Sequence, residues 1–315
     1  GDEFREYVRY VAEQTLKVDP SNKTANSILK EGSTDLKSGN TDWYKELKRP
    51  SHRHDLNLSV RGGGEHSNYY ISLGVLDYQG MVEHDDFTRY TGRINLDYDI
   101  TDFLKFGTST TLGYTDVSSP GISLYTAIGF RPDYPIYNED GSYYKEGNSY
   151  NPVAQNDAKS YNDNYSILST SFLELNIWKG LKLKTTLSLN QNMSYSESYK
   201  PTYLTSDNKG YGTESTSRSF TTVFDNTLSW VGRINDIHAL DAVVGISFER
   251  TKRRGFGVDA KNYPMDKVLT GITNASEIVR KSGSGTVYGL QSSFARINYR
   301  LLDKYLLTFT ARYDG

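Results

Sequence analysis

At 315 residues with a formal net charge of -2, the chain is long enough for one large domain or two ordinary ones and lacks the basic excess of nucleic-acid binders. Its 27 Gly, 26 Tyr and only 3 Met, with a mean hydropathy of -0.62, favour strands and turns, and no run approaches the ~18 apolar residues of a transmembrane helix. The absence of Cys excludes a disulfide framework and thiol chemistry.

The opening segment, GDEFREYVRY, has neither an initiator Met nor an apolar leader and is expected to be an internal or processed boundary. Phe4, Tyr7, Val8 and Val11 recur at helical spacing, which predicts a short amphipathic helix. Further on the period changes to two. In RYTGRINLDYDITDFLKFGTSTTLGYTD (89–116), Ile94, Leu96, Tyr98 and Ile100 take one face of a strand, while Arg93, Asn95, Asp97 and Asp99 take the other. After a Thr-Asp break, Leu104, Phe106, Leu112 and Tyr114 repeat the pattern. The same alternation predicts about ten strands, near 54–61, 68–78, 87–100, 103–116, 164–178, 181–197, 217–234, 237–250, 286–301 and 304–313.

Their connections alternate in length. GGGEHS (62–67), TD (101–102), KG (179–180), ND (235–236) and DK (303–304) are short, whereas 79–86, 118–163, 198–216 and 251–285 are longer and rich in Tyr, Asn, Asp, Ser, Gly and Pro. Soluble sandwiches use strands of about 5–6 residues with more even loops. A transmembrane barrel needs strands of at least ~9–11 residues, short turns at one end, long loops at the other, and aromatic belts. Phe103, Trp178, Trp230 and Tyr305 lie beside the short turns, where an inner belt belongs. The expected fold is therefore all-β, an antiparallel transmembrane β-barrel with extracellular long loops and periplasmic short turns. Its apolar face meets lipid and its polar face lines a wet lumen.

Several constellations could carry chemistry. His52 and His54 share a strand face at a spacing a metal could use, but no third ligand is near in sequence, so exposed strand-end histidines are expected. GGG at 62–64 opens a strand rather than a helix and reads as a tight turn, not a phosphate cradle. ERTKRRGFG (249–257) gathers cations at a strand end and reads as a solvated or lipopolysaccharide-facing rim. The stretch RPDYPIYNEDGSYYKEGNSYNPVAQND (131–157) sets Tyr134, Tyr137, Tyr143, Tyr144 and Tyr150 among Asp and Asn. Such rings can stack on sugars while amides and carboxylates bond hydroxyls; they can equally pack on one another or on a protein lid. No arrangement of Ser, His and Asp or of Cys and His suggests a nucleophile and its base, so neither enzyme activity nor a cofactor or metal is expected.

TDWYKEL (41–47), HDLNLSVRGGGEHSNYYISLGVLDYQGMV (54–82), RYTGRINLDYDITDFLKFG (89–107), RPDYPIYNEDGSYY (131–144), NPVA (151–154) and SSFARINYRLLDKYLLTFTARYDG (292–315) resemble, in this order, segments of the SusC/RagA family of TonB-dependent outer-membrane transporters. The resemblance spans nearly the whole chain. It implies a barrel of about 22 strands closed by an N-terminal plug. Residues 1–315 would be part of that single barrel domain: an extracellular loop with a short helix over 1–51, then wall strands and loops over 52–315. Neither plug nor TonB box is in view, and Gly315 is expected to lie inside a strand that continues. The resemblance also implies an outer-membrane location in a Gram-negative bacterium and import of a large nutrient, a glycan or a peptide. TonB and a SusD-like surface lipoprotein would be partners, with outer-membrane lipid and lipopolysaccharide around the wall. A passive porin-like barrel and a soluble β-rich adhesin or lectin are the alternatives.

Overall fold

The computed structural model of the chain describes every residue except Asn148, Asp236 and Lys267. Three helices come first: α1 (Asp2–Val18), α2 (Lys23–Leu29) and α3 (Trp43–Leu47). The amphipathic helix expected at the start is thus a full 17 residues, with Asp2 and Glu3 in its first turn and Lys17 in its last, charges that suit the helix dipole. The strands follow as β1 (His52–Gly64), β2 (Ser67–Gln79), β3 (Asp86–Thr101) and β4 (Leu104–Ser119). A loop then carries α4 (Leu124–Ile128), the hairpin β5 (Lys145–Glu146) and β6 (Ser149–Tyr150), and α5 (Pro152–Asn156). Six long strands complete the chain: β7 (Lys159–Trp178), β8 (Leu181–Lys200), β9 (Tyr211–Ile234), β10 (His238–Lys261), β11 (Glu277–Leu301) and β12 (Tyr305–Asp314).

Apart from the β5–β6 hairpin, the strands form one ten-stranded antiparallel meander in chain order, open at β1 and β12. All ten expected strands are present, but two loops are shorter than the sequence suggested. The 198–216 connection shrinks to 201–210 and the 251–285 connection to 262–276, because β8 to β11 continue upward as a polar ladder. At ~3.3 Å per residue, the 24 residues of β10 extend roughly 80 Å, well beyond a ~30 Å hydrocarbon layer.

Residues paired across strands share a face, so the register tests the alternation directly. Leu104 pairs with Leu175, Leu175 with Leu183, Leu183 with Leu228, Leu228 with Val244, Val244 with Ala295 and Ala295 with Ala311. This apolar row crosses seven strands without interruption. Threonine and serine on the same face pair with one another, Thr108 with Ser171 at 2.9 Å and Thr110 with Ser169 at 2.8 Å, so one hydroxyl of each pair donates to the other. The other face is polar: Asn95 accepts from Ser109 at 2.8 Å, and Thr170 bonds Ser188 at 3.1 Å.

Little of the apolar face is covered by protein. Leu58 is 74% exposed and Val244 51%. The hydrophobic cluster of buried residues lies instead at the long-loop end, around Trp43, Leu47, Ile122, Ala127 and Tyr134. Aromatic rings bound the apolar face above and below. Toward the long loops, Tyr90, Tyr114 and Tyr165 pack side by side, with ring centroids 6.2 and 4.7 Å apart. Toward the short turns, Tyr98 pairs with Phe106 and Leu181 with Trp230. Tyr90 and Tyr98 are about 26 Å apart along the strand, or about 20 Å of the bilayer at a tilt of ~40°, a height that fits within a ~25 Å apolar band. At the short-turn end, Gly180 has φ +79°, and a Cβ there would run into the Val231 carbonyl, so the two-residue β7–β8 turn requires glycine.

Candidate functional site

The loop between β4 and β7 folds with the N-terminal segment into a compact platform. Asp42 caps α3 by accepting from the Lys45 amide at 3.1 Å, which turns Trp43 inward. The buried Trp43 indole donates to the Arg131 carbonyl at 3.0 Å and meets Phe130 edge-on at 5.3 Å. Thr41 Oγ1 donates to the Tyr134 carbonyl at 2.6 Å. Asp133 joins the two segments from a position with 0% exposure: it accepts from Arg131 Nε at 3.0 Å, from Arg131 Nη2 at 2.7 Å and from the Lys37 amide at 2.8 Å. Burial works to raise its pKa, but the guanidinium and the amide outweigh burial and hold it below the ordinary carboxylate value.

Asn151 is the second buried polar anchor. Its amide nitrogen donates to the Ile136 carbonyl at 2.7 Å and the Tyr144 carbonyl at 3.1 Å, while its oxygen caps α5 through the Ala154 amide at 3.0 Å. Pro152 follows at the first helical position, where its missing N–H costs nothing.

The five tyrosines named from sequence occupy different environments. Tyr134 is 6% exposed and belongs to the buried cluster, against Phe130 at 5.5 Å and under the Arg131 guanidinium at 4.5 Å. Tyr144 packs on Tyr134 at 5.1 Å and donates to Glu146 at 2.5 Å. Tyr137 and Tyr143 face each other across a bridged turn, their rings stacked at 5.1 Å, and Tyr137 is 51% exposed. Tyr143 and Tyr150 converge on Tyr203, a ring from the β8–β9 loop, at 5.4 and 6.5 Å. Asp157 accepts hydrogen bonds from both Tyr143, at 2.8 Å, and Tyr203. Burial first, and donation to Asp157 second, push both phenols above the ordinary tyrosine pKa, so they remain donors at neutral pH. Sequence reading missed Tyr203 because it lies in another loop.

A second polar knot ties the β8–β9 and β10–β11 loops. Asp266 accepts from Tyr199 at 2.8 Å and from the Thr202 amide and hydroxyl at 2.6 Å each. Beside the platform, α1, α2, residues 34–37, Arg131 and Glu146 line an open cleft of about 680 Å³. His52 and His54 stand with ring centroids 5.1 Å apart, and His52 Nε2 lies 3.3 Å from Asp77. Among the described residues no group of three or more His, Asp or Glu is assembled for a metal ion.

No family model matches the chain. A TonB-dependent receptor, P26, of Formosa agariphila is 28% identical over 88% of the chain, and the TonB-dependent receptor SusC of Bacteroides thetaiotaomicron is 25% identical over 100% of the chain. Among solved structures, the RagAB peptide importer in its open-open state superposes over 100% of the chain with a TM-score of 0.76 at 21% identity. The chain is therefore similar to TonB-dependent receptors over most of its length and shares the fold of the RagAB importer. It spans 29% of P26, 32% of SusC and 39% of the RagAB chain.

The segments that carry the family likeness have physical duties in this chain. TDWYKEL is the Thr41 anchor, the Asp42 cap and the buried Trp43 and Leu47. RPDYPIYNEDGSYY is the Asp133 junction followed by a turn in which Asp140 accepts from the Ser142 amide at 2.9 Å. NPVA is the Asn151 cap, with Pro152, of α5. These residues build the platform, and the exposed rings ride on it.

Proposed function

We propose that the chain forms part of the wall and surface loops of an outer-membrane TonB-dependent transporter that imports a large nutrient, with a SusD-like lipoprotein over the long-loop end. The observation that carries the reading is the apolar row from Leu104 to Ala311, in which no residue is buried and Leu228, Val244 and Ala311 are exposed, bounded by aromatic rings above and below. An uncovered face of this size on a water-soluble protein would aggregate, whereas a bilayer satisfies it. The family resemblance points to a glycan or a peptide as cargo, and the likeness to the RagAB peptide importer favours a peptide. In either case Tyr137, Tyr143, Tyr150 and Tyr203 offer stacking faces and phenolic donors to cargo or lid, while Tyr134 and Tyr144 hold the platform beneath.

The test is uptake by cells carrying the whole receptor. Deleting the receptor or TonB should abolish growth on the limiting nutrient, and material co-purified with the receptor should be an oligosaccharide or a peptide by mass spectrometry. Uptake that persists without TonB would favour a passive porin, and a receptor that stays monodisperse without detergent would favour a soluble adhesin.

A further inference from the structure

We propose that Arg218, Lys252 and Arg254 form a binding site for the phosphate groups of an outer-leaflet glycolipid; this rests on the reading of the apolar face as lipid-facing. The register divides the basic run ERTKRRGFG between the two faces. Arg250, Lys252 and Arg254 fall on the same face as Val244, Ile246 and Phe248, whereas Arg253, paired with Ser219 and Thr286, falls on the polar face. On the neighbouring strand, Arg218 stands directly opposite Arg254, and Phe220 opposite Lys252. Along β10 the outward positions therefore change from apolar to cationic in a single step after Phe248.

The height is suited to a headgroup. Leu240 to Phe248 spans about 26 Å along the strand, or about 20 Å of the bilayer at a tilt of ~40°, against an apolar band of ~25 Å. Arg250 thus falls at the outer edge of the band, with Lys252 and Arg254 just above it. Like charges directly opposite across a sheet repel. Arg218, Arg250, Lys252 and Arg254 are exposed and have no acidic partner among the described residues. The adjacent Glu249 lies on the other face. Arg218, Phe220, Lys252 and Arg254 line a hollow of about 230 Å³, room for a phosphomonoester with part of its sugar. The cations supply charge-assisted hydrogen bonds to phosphate oxygens, and Phe220 and Phe248 below them offer surface to acyl chains. Farther round the wall, on the same face, Asp116 stands opposite Asp163, so the cations are a local site rather than a general basic belt.

The experiment is native mass spectrometry of the whole receptor in detergent, titrated with diphosphoryl lipid A and, separately, with its enzymatically dephosphorylated form. Wild type should retain the phosphorylated lipid at least about tenfold better, Arg218→Gln/Lys252→Gln/Arg254→Gln should lose that preference, and Arg253→Gln should keep it. Inorganic phosphate at millimolar concentration should not displace the lipid, which separates a headgroup site from a free-anion site. Should the triple variant fail to fold by heat-modifiable gel mobility, Lys252→Gln alone serves, with an intermediate loss expected. No preference in wild type, or equal loss in Arg253→Gln, overturns the proposal. A single cysteine at Ile246, in a background otherwise free of cysteine, separates the two readings. Labelling there by a membrane-impermeant maleimide defeats the lipid-facing assignment itself, whereas protection without lipid preference defeats only the phosphate site.

Discussion

The ring of Phe172 lies over Gly107, its paired neighbour on β4, so closely that a Cβ at Gly107 would overlap the ring. Phe294 covers Gly245 in the same way on β10 and β11. Both pairs sit on the polar face. Glycine weakens a strand by leaving nothing to pack, and a cross-strand ring restores the lost contact. Lys184 Nζ, 4.0 Å from the Phe172 ring centre, adds a cation over the outer side of the ring.

Gly107→Val should therefore displace Phe172 and slow assembly, at a cost of about 1–3 kcal/mol from overpacking. The combination with Phe172→Ala should recover part of the loss. Urea-unfolding midpoints of the single and double variants would measure the coupling; additive effects would mean that the ring and the glycine act independently.

Asp133→Asn should loosen the platform while leaving the wall intact. It removes the charge that pairs with Arg131, a change worth about 1–3 kcal/mol for a buried hydrogen-bonded group. Limited proteolysis of the 120–158 loop should quicken, with heat-modifiable mobility of the barrel unchanged. Because folding depresses the Asp133 pKa, its stabilisation is complete above the unfolded value of 3.8 and is lost as pH falls below it. Protease protection at neutral pH and at pH 5 should then be alike, and protection at pH 3 should be weaker. Protection that stays flat to pH 3 would deny Asp133 this role.

Tyr137→Ala should reduce uptake with normal barrel abundance, whereas Tyr134→Ala should disorder the loop. The first ring is half exposed and the second is buried. An aromatic hot spot is worth ~1–2 kcal/mol or more, equivalent to roughly a five- to thirtyfold fall in affinity. Uptake on limiting nutrient, read beside outer-membrane protein levels, distinguishes the two; unchanged uptake by the Tyr137 variant would reduce the Tyr cluster to packing.

An epitope inserted at Gly147 should be reached by antibody on intact cells, and one at Lys179-Gly180 should not. Gly147 adopts φ +58° in an exposed loop with open space around it, while the 179–180 turn is closed against Val231. Surface labelling at 179–180 would invert the topology.

The membrane-height halves of the strands were legible because their faces meet unlike media, so Leu183 and Lys184 or Val244 and Gly245 alternate visibly. Their upper halves were not. Residues such as Thr213 to Ser219 and Lys281 to Thr286 meet no apolar phase, their two faces carry similar side chains, and they are held by ladder hydrogen bonds that leave no periodicity. That is why two loops were read as too long. In the platform, the tyrosine-rich stretch was recognisable as a candidate, but nothing in the spacing separates buried Tyr134 from exposed Tyr137. Tyr203 joins the cluster through Asp157 and the Tyr143 and Tyr150 rings, partners that folding supplies. The basic run after Phe248 was visible as a cluster, yet only the register assigns Arg253 to one face and Lys252 to the other.

The central claim, that one face of this sheet meets lipid, is tested most directly by substituting Arg at two adjacent residues of β3. Ile94 pairs with Ile71 and Thr110 on the apolar face, and Asn95 pairs with Tyr70 and Ser109 on the polar one. Ile94 lies midway between Tyr90 and Tyr98, and an Arg facing the bilayer midplane costs about 2–4 kcal/mol, whereas one facing the lumen is tolerated. The measurement is the yield of folded, heat-modifiable receptor in outer-membrane preparations. The account predicts a clear loss for Ile94→Arg and near-normal yield for Asn95→Arg; equal yields, or the reverse order, would contradict it.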